Sequence, residues 1–199
     1  MRKDNIRKRS TSKIRPTMAV KLVLLFLSGV VLISAKGKDC APSFCSCKKY
    51  EVHCEMPEDA NKQMTYYEYA AAQCKSHGGV LANLADPDVD AMLKKFIANE
   101  GLDGSACINN FGFFIGLTDP NYDGSFVWSN GNPLCQGCYT NWAPGEPNNN
   151  DKKDENGQNC GQLWYRSNHN GLWDDEYCNE RPKGYVCEIP NNCCCSETP

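Results

Sequence analysis

Histidine is scarce in this chain. Only three occur, His53, His77 and His169, scattered over 199 residues. That supplies a zinc site poorly, and no Ser/His/Asp or Cys/His arrangement stands at a plausible spacing for nucleophilic catalysis. An excess of one charge is lacking too. Lysine and arginine number 21 against 24 acidic residues, leaving a net charge of −3. No long basic patch follows residue 36, which argues against a nucleic-acid partner. The apolar run from Leu22 to Ile33, broken by Ser28 and Gly29, falls short of the roughly 20 residues a membrane-spanning helix needs. No cysteine precedes Cys40, and no repeat recurs at a solenoid period.

What is present begins at the N-terminus. Arg2, Lys3, Arg7, Lys8, Arg9, Lys13 and Arg15 precede the apolar run, and the small residues Ser34 and Ala35 follow it. Basic flank, short apolar core and small residues predict a signal peptide over residues 1–35, cleaved after Ala35. The alternative is an uncleaved signal anchor, since the basic and polar stretch is longer than a signal requires. The protein is then secreted, or a type II membrane protein with its domain outside the cell. All 14 cysteines lie in the exported part, which predicts a disulfide framework. Cys135-Gln136-Gly137-Cys138 has redox spacing, but no βαβ pattern surrounds it.

The exported part divides into a short extension over 36–46 with Cys40 and Cys45, a domain over 47–190, and a polar tail over 191–199 with Cys193, Cys194 and Cys195. The triplet points to a disulfide-linked oligomer. Thr65 with Glu68 three residues on predicts a capping box and a helix through Tyr66, Tyr67, Tyr69, Ala70, Ala71 and Cys74, stopped at Gly78-Gly79. Asp86-Pro87 predicts a second helix, with Val89, Met92, Leu93, Phe96 and Ile97 on one face. Short apolar runs follow at Phe113–Leu117, Phe126–Trp128, Gln162–Tyr165 and Gly184–Glu188, bounded by turn residues. Between Trp128 and Cys160 the chain is mostly Asn, Pro, Gly and charge, and a loop that long is usually functional. Helices first and strands later predict an α+β fold.

Five motifs occur in order: Tyr67-x-x-Ala70-x-x-x-Cys74, Phe114-Ile115-Gly116-Leu117, Gly124-x-Phe126-x-Trp128, Asn141-Trp142-x-x-Gly145-Glu146-Pro147-Asn148-Asn149, and Trp173-Asp174-Asp175-x-x-Cys178 with Val186-Cys187-Glu188. Any one alone is weak, but their order and spacing resemble the C-type lectin domain family. The resemblance implies the C-type lectin fold: two helices, antiparallel strands and a long calcium-binding loop, stapled by disulfides. It implies the pairs Cys74–Cys187 and Cys160–Cys178, and for longer members an N-terminal pair, here Cys47–Cys54. The first closes a loop worth about 4–5 kcal/mol on the chain-entropy view. Cys40, Cys45, Cys107, Cys135, Cys138 and the terminal triplet lie outside the family pattern and are left unassigned.

The resemblance also implies a calcium site. Calcium takes oxygen ligands, typically carboxylates and amide carbonyls. In the family the proline of Glu146-Pro147-Asn148 is cis, turning both neighbouring side chains toward the metal. The implied ligands are Glu146, Asn148, Gln158, Asp174 and Asp175. Two depart from the family pattern, where Glu is usual at Gln158 and Asn at Asp174. The exchanges compensate, so the set keeps three negative charges. Sugar hydroxyls would engage Glu146 with Asn148, and Gln158 with Asp174, each pair one carboxylate and one amide. The first pair is the mannose, N-acetylglucosamine or fucose type. The second is exchanged, which leaves galactose open. Asp119 and Asp123, with the neutral Asn149, Gln158 and Asn159, stand at an auxiliary calcium site expected to be weak or empty. The polar insert over 150–156 is expected to be a solvated loop, with Asp154 and Glu155 in reach of the site. Trp128, Trp142, Trp164 and Trp173 are expected in the core or as loop anchors, and Tyr165 or Asn170 beside the sugar.

The sequence therefore predicts a calcium-dependent lectin for glycans or glycoproteins, and no enzyme. The competing reading is the same fold as a scaffold for a protein, mineral or ice surface without sugar. Paired carboxylates are also the machinery of glycoside hydrolysis, but here the acidic residues cluster as metal ligands.

Overall fold

The computed structural model describes residues 47–54, 56–103, 107, 112–166 and 169–191, and for residues 30–34 and 47 the backbone alone. The expected cleavage point after Ala35, the extension over 36–46 and Cys193 to Cys195 lie outside the described residues.

The first helix, α1 (Tyr66–Ser76), starts where the Thr65 hydroxyl accepts the Glu68 N–H at 3.1 Å and the Glu68 carboxylate accepts the Thr65 N–H at 2.7 Å. This reciprocal cap satisfies two donors that the first helical turn cannot. The helix ends at His77, and Gly78 takes the left-handed conformation at φ 81°. The second, α2 (Pro87–Asn99), is capped by the Asp86 carboxylate, which accepts the Asp88 N–H at 2.9 Å. Of the face read from its periodicity, Leu93 and Ile97 are fully buried, while Val89, Met92 and Phe96 pack at the margin of the core.

The strands are β1 (Val30–Ser34), β2 (Cys47–His53), β3 (Val80–Leu81), β4 (Gly112–Thr118), β5 (Val127–Trp128), β6 (Cys160–Trp164), β7 (Leu172–Glu176) and β8 (Gly184–Asn191). The sheet order is β1-β2-β8-β4-β6-β7, with β3 on β8 and β5 on β4. The strands are not all antiparallel as expected. β8 lies centrally between two strands of opposite direction, so it pairs antiparallel with β2 and parallel with β4. Strand β1, the end of the apolar run, pairs antiparallel with β2, Val30 opposite His53 and Ser34 opposite Lys49. Among the described residues no helix is long and apolar enough to cross a membrane.

The apolar runs are continuous because the central strands are buried on both faces, and successive side chains point to opposite faces. Phe113, Ile115 and Leu117 pack with Tyr50, Val52, Val186 and Leu163 against α2. Phe114 faces the other way and packs with Tyr185, Cys187, Tyr67 and Ala70 against α1.

Disulfides join Cys74 to Cys187 and Cys160 to Cys178. The N-terminal expectation needs correction: Cys54 bonds Cys107, not Cys47. Cys47 starts β2 and Cys54 follows its end. At about 3.3 Å per residue the seven steps between them span about 23 Å, while bridged Cα atoms stand at most about 7 Å apart. A further bond, Cys135–Cys138, closes a short turn.

Candidate functional site

The long loop after β5 is fixed from beneath by one buried carboxylate. Asp90 of α2, 0% exposed, accepts the Trp173 indole N–H at 3.0 Å, the Tyr139 hydroxyl at 2.7 Å and the Asn141 amide at 2.7 Å. Lys94, one turn on, neutralises it at 2.7 Å. Backbone bonds then join Ala143 N–H to Trp173 carbonyl and Trp173 N–H to Asn141 carbonyl, both at 2.7 Å. The loop is thereby held alongside β7, and residues 146–149 are brought over Asp174 and Asp175. The Glu146–Pro147 bond is cis.

Asp175 is fully buried, and its two oxygens accept the N–H groups of Asn148 and Asn149 at 2.9 and 2.7 Å. Asp174 is 6% exposed and accepts the Gln162 amide at 2.6 Å. Carboxylate oxygens of Glu146, Asp174 and Asp175 lie within 4.8 Å of one another. One Glu146 oxygen, Oε2, is buried with no hydrogen-bond partner among the described residues. Burying such an oxygen unpaired costs about 1–3 kcal/mol, more when charged.

The electrostatics reflect this crowding. Burial, then the hydrogen-bonding and Coulombic effects of Asp175, raise the Glu146 carboxyl above its usual range, against opposing hydrogen bonds from Asn148. Burial pushes Asp174 up to about 7; Glu146, Glu176 and Asp175 add to the rise and the Gln162 hydrogen bond opposes it. Two residues along, Glu176 differs. Burial alone would raise it, but buried Lys183, the Tyr177 N–H and Gln158 outweigh burial and hold it low. Lys183 is 3% exposed, reaches Glu176 Oε2 and Gln162 Oε1, both at 2.9 Å, and lies 4.9 Å from the centre of the Phe114 ring.

The structure brings the five residues expected as ligands into one region with different engagements. Glu146, Asn148, Gln158 and Asp174 line an open cavity of about 260 Å³, and Asp175 sits behind it. The Gln158 amide is turned toward its neighbours: it donates to Glu176 at 3.3 Å and accepts the Asn150 N–H at 3.2 Å. The donor set fits a hard cation. Three converging carboxylates, an unpartnered oxygen and adjacent amide carbonyls are oxygen ligands of the kind calcium takes.

Other expectations resolve locally. Asp119 accepts the N–H groups of Asp123 at 3.3 Å and Gly124 at 2.7 Å, and so caps a turn. Asn149 Oδ1 accepts the Gln158 N–H at 3.0 Å, and the Asn159 amide donates to Asn156 and Gly157 carbonyls. Asp154 accepts the Asn156 N–H at 2.9 Å; it and Glu155 are exposed and do not line the cavity. Tyr165 is not beside the cavity but packs on Phe113 in the core, and Asn170 does not line the cavity either. Of the two expectations for Trp164, core or loop anchor, it takes the second: it walls the cavity and stacks on His169 at 3.7 Å. Alternation explains both positions: Gln162 and Trp164 share one face of β6, Leu163 and Tyr165 take the other. Sequence reasoning missed Gln162, Glu176, Lys183 and Asp90. The alternation of β6 and β7 would have found the first two, whereas Lys183 and Asp90 carry no local signal.

The sequence profile described as "Lectin C-type domain" matches residues 62–189. The chain is 28% identical over 170 residues to the perlucin-like protein of Mytilus galloprovincialis, covering 84% of this chain and 96% of that protein. It is 38% identical over 86 residues to the low affinity immunoglobulin epsilon Fc receptor of Mus musculus, covering 43% of this chain but only 23% of the receptor. Among solved structures, the cow C-type carbohydrate-recognition domain of CD23, crystallised in the presence of GlcNAc2Man3 oligosaccharide, superposes with a TM-score of 0.55. That match is 26% identical and covers 78% of this chain and 98% of that one.

Proposed function

The chain belongs to the C-type lectin domain family, whose members are non-catalytic carbohydrate-binding domains, and from that premise we propose that it binds glycans through a calcium ion held by Glu146, Asn148, Gln158, Asp174 and Asp175. The observation that carries this reading is the convergence of three carboxylates around a buried Glu146 oxygen that no described group satisfies. When bound, calcium would supply a Lewis-acidic centre for two neighbouring sugar hydroxyls.

The protein's own part is orientation. Asp175 pins the backbone N–H groups of Asn148 and Asn149, which fixes the loop so that the Glu146 carboxylate and the Asn148 side-chain amide are offered to a hydroxyl pair. That pair is of the mannose, N-acetylglucosamine and fucose type. Asp174 and Gln158 form the exchanged pair, and both are tied to neighbours, Asp174 to Gln162 and Gln158 to Glu176. Because the first pair is of the mannose type, mannose-type ligands are favoured over galactose. We place the protein outside the cell, in keeping with its disulfides.

The test is retention of the oxidised protein on mannose- and galactose-agarose in calcium, followed by elution with EDTA. Stronger EDTA-sensitive retention on mannose is expected. Retention on galactose alone overturns the specificity. Absence from both resins, with calcium binding intact, overturns sugar binding in favour of a scaffold for a protein or mineral surface.

A further inference from the structure

We propose that a second metal site, for a borderline divalent cation of the zinc class, is formed by Glu51, His53 and His77, where β2 meets the end of α1. Three histidines in the chain looked too few for such a site, but folding brings two of them to one carboxylate.

The strand period supplies the first half. Successive side chains of β2 alternate, so Tyr50 and Val52 enter the core while Lys49, Glu51 and His53 share the opposite face. The helix supplies the second half. His77 caps α1, and the chain then turns through Gly78 and Gly79. A Cβ at Gly79 would collide with the Glu188 carbonyl, so glycine lets the helix end approach β8 closely enough to hold His77 over β2.

The donor atoms converge. Glu51 Oε2 lies 2.8 Å from His77 Nδ1 and 3.4 Å from His53 Nε2, and all three lie within 4.8 Å of one another. Ligands of tetrahedral zinc, at about 2.0–2.2 Å from the metal, stand about 3.3 Å apart. The required adjustment falls on His77, whose side chain is 39% exposed. Lys49 takes the other Glu51 oxygen, Oε1, at 2.7 Å and leaves Oε2 facing the two rings.

A hydrogen bond from His77 to Glu51 accounts for those two residues, whereas His53 stands at 3.4 Å from the same oxygen, within ion-pair distance but without a hydrogen bond to it. His53 is 6% exposed and its ring is stacked on Tyr185 at 4.5 Å, so its direction is fixed. Its Nε2 is buried, aimed at Glu51, and without a hydrogen-bond partner among the described residues. A buried, preoriented nitrogen beside a second imidazole and a carboxylate is what a zinc-class ion takes. Two nitrogen donors also separate this site from the all-oxygen calcium site. Water on the exposed His77 side would complete four-coordination. Such an ion would clamp β2 to α1 beside the Cys54–Cys107 and Cys74–Cys187 bonds.

The test is calorimetric titration of zinc chloride into the whole oxidised protein in saturating calcium, repeated with cobalt(II) read by its tetrahedral visible absorption. One zinc per chain is expected. His77→Ala, at an exposed position, should weaken it roughly 100-fold or more, since even supporting residues of metal sites contribute 10–100-fold. The same variant should keep its retention on sugar resin. His53→Gln should also lose zinc, with a thermal melt in zinc-free buffer showing whether it folds. No zinc uptake by the unsubstituted protein, or uptake unchanged in His77→Ala, overturns the site.

Discussion

Asp174 and Glu176 stand two residues apart on one face of β7, and both face the Gln162 amide, yet their surroundings differ. Glu176 has a cation built into the fold, the buried ammonium of Lys183 at 2.9 Å, and its carboxyl is held low. Asp174 accepts the neutral Gln162 amide, with Glu146, Glu176 and Asp175 crowding it, and burial pushes its carboxyl up to about 7. The first carboxylate is neutralised from within, whereas the second stands among three converging carboxylates. On the proposed function that difference is the purpose of the loop: the missing positive charge is the calcium ion.

The largest expected effect breaks the internal half of the contrast. Lys183→Met leaves Glu176 buried without its partner and should cost about 3–5 kcal/mol. Urea unfolding in calcium checks it, and a loss under about 1 kcal/mol would mean that Lys183 is not what neutralises Glu176.

The next breaks the external half. Asp175→Ala removes a carboxylate from the cluster and the acceptor of two loop N–H groups. Calcium affinity should fall roughly 100-fold, or about 2.7 kcal/mol, by calorimetry. Glu176 is held low by Lys183, the Tyr177 N–H and Gln158 and not by Asp175, so its carboxyl should stay low, read by NMR titration.

A pH comparison sharpens the contrast further. A carboxyl whose folded pKa is raised contributes stability at low pH that is lost as pH rises through the folded value. Without metal, the Asp174 contribution is therefore lost as pH rises through about 7. Calcium offsets that loss once the carboxylate is charged. The rise in melting temperature on adding calcium should be several degrees greater at pH 8 than at pH 6. An equal rise at both values would show that Asp174 does not sense the ion.

The smallest effect concerns the exchanged pair. Asp174→Asn removes one of three charges and should weaken calcium roughly tenfold, as affinity follows ligand charge. Adding Gln158→Glu restores the charge and should return affinity to within about threefold. The double variant should also raise the mannose-to-galactose ratio on resin. An unchanged ratio would mean that the exchange does not affect sugar choice.

How much of this was legible in the sequence follows from the range of each signal. The caps at Thr65 and Asp86 are local chemistry, and both helices start where those residues predict. The apolar runs mark β4, β6 and β8, because burial on both faces makes strand cores continuous. Strand β2 was not legible as a strand, since Lys49, Glu51 and His53 interrupt its apolar pattern. β7 was hidden within the Trp-Asp-Asp motif, its acidic residues reading as ligands and not as a ladder. The Cys54–Cys107 bond depends on how the end of β2 meets a distant segment, which no spacing encodes. In the site, the Glu-Pro-Asn loop and the Asp pair were visible as motifs. Lys183 and Asp90 were not, because each acts on residues far along the chain: Asp90 holds Trp173 and Lys183 reaches back to Gln162. Tyr165 packs against the core and not beside the cavity, a position that period-two alternation from Leu163 gives.

Sugar binding, as proposed, requires an ion held by the carboxylate cluster of Glu146, Asp174 and Asp175. Its most direct test is calorimetric titration of mannose into the oxidised protein, once in calcium and once in EDTA. Saturable heat in calcium and none in EDTA is expected. Equal binding in both, or no binding in either while calcium itself binds, would contradict it.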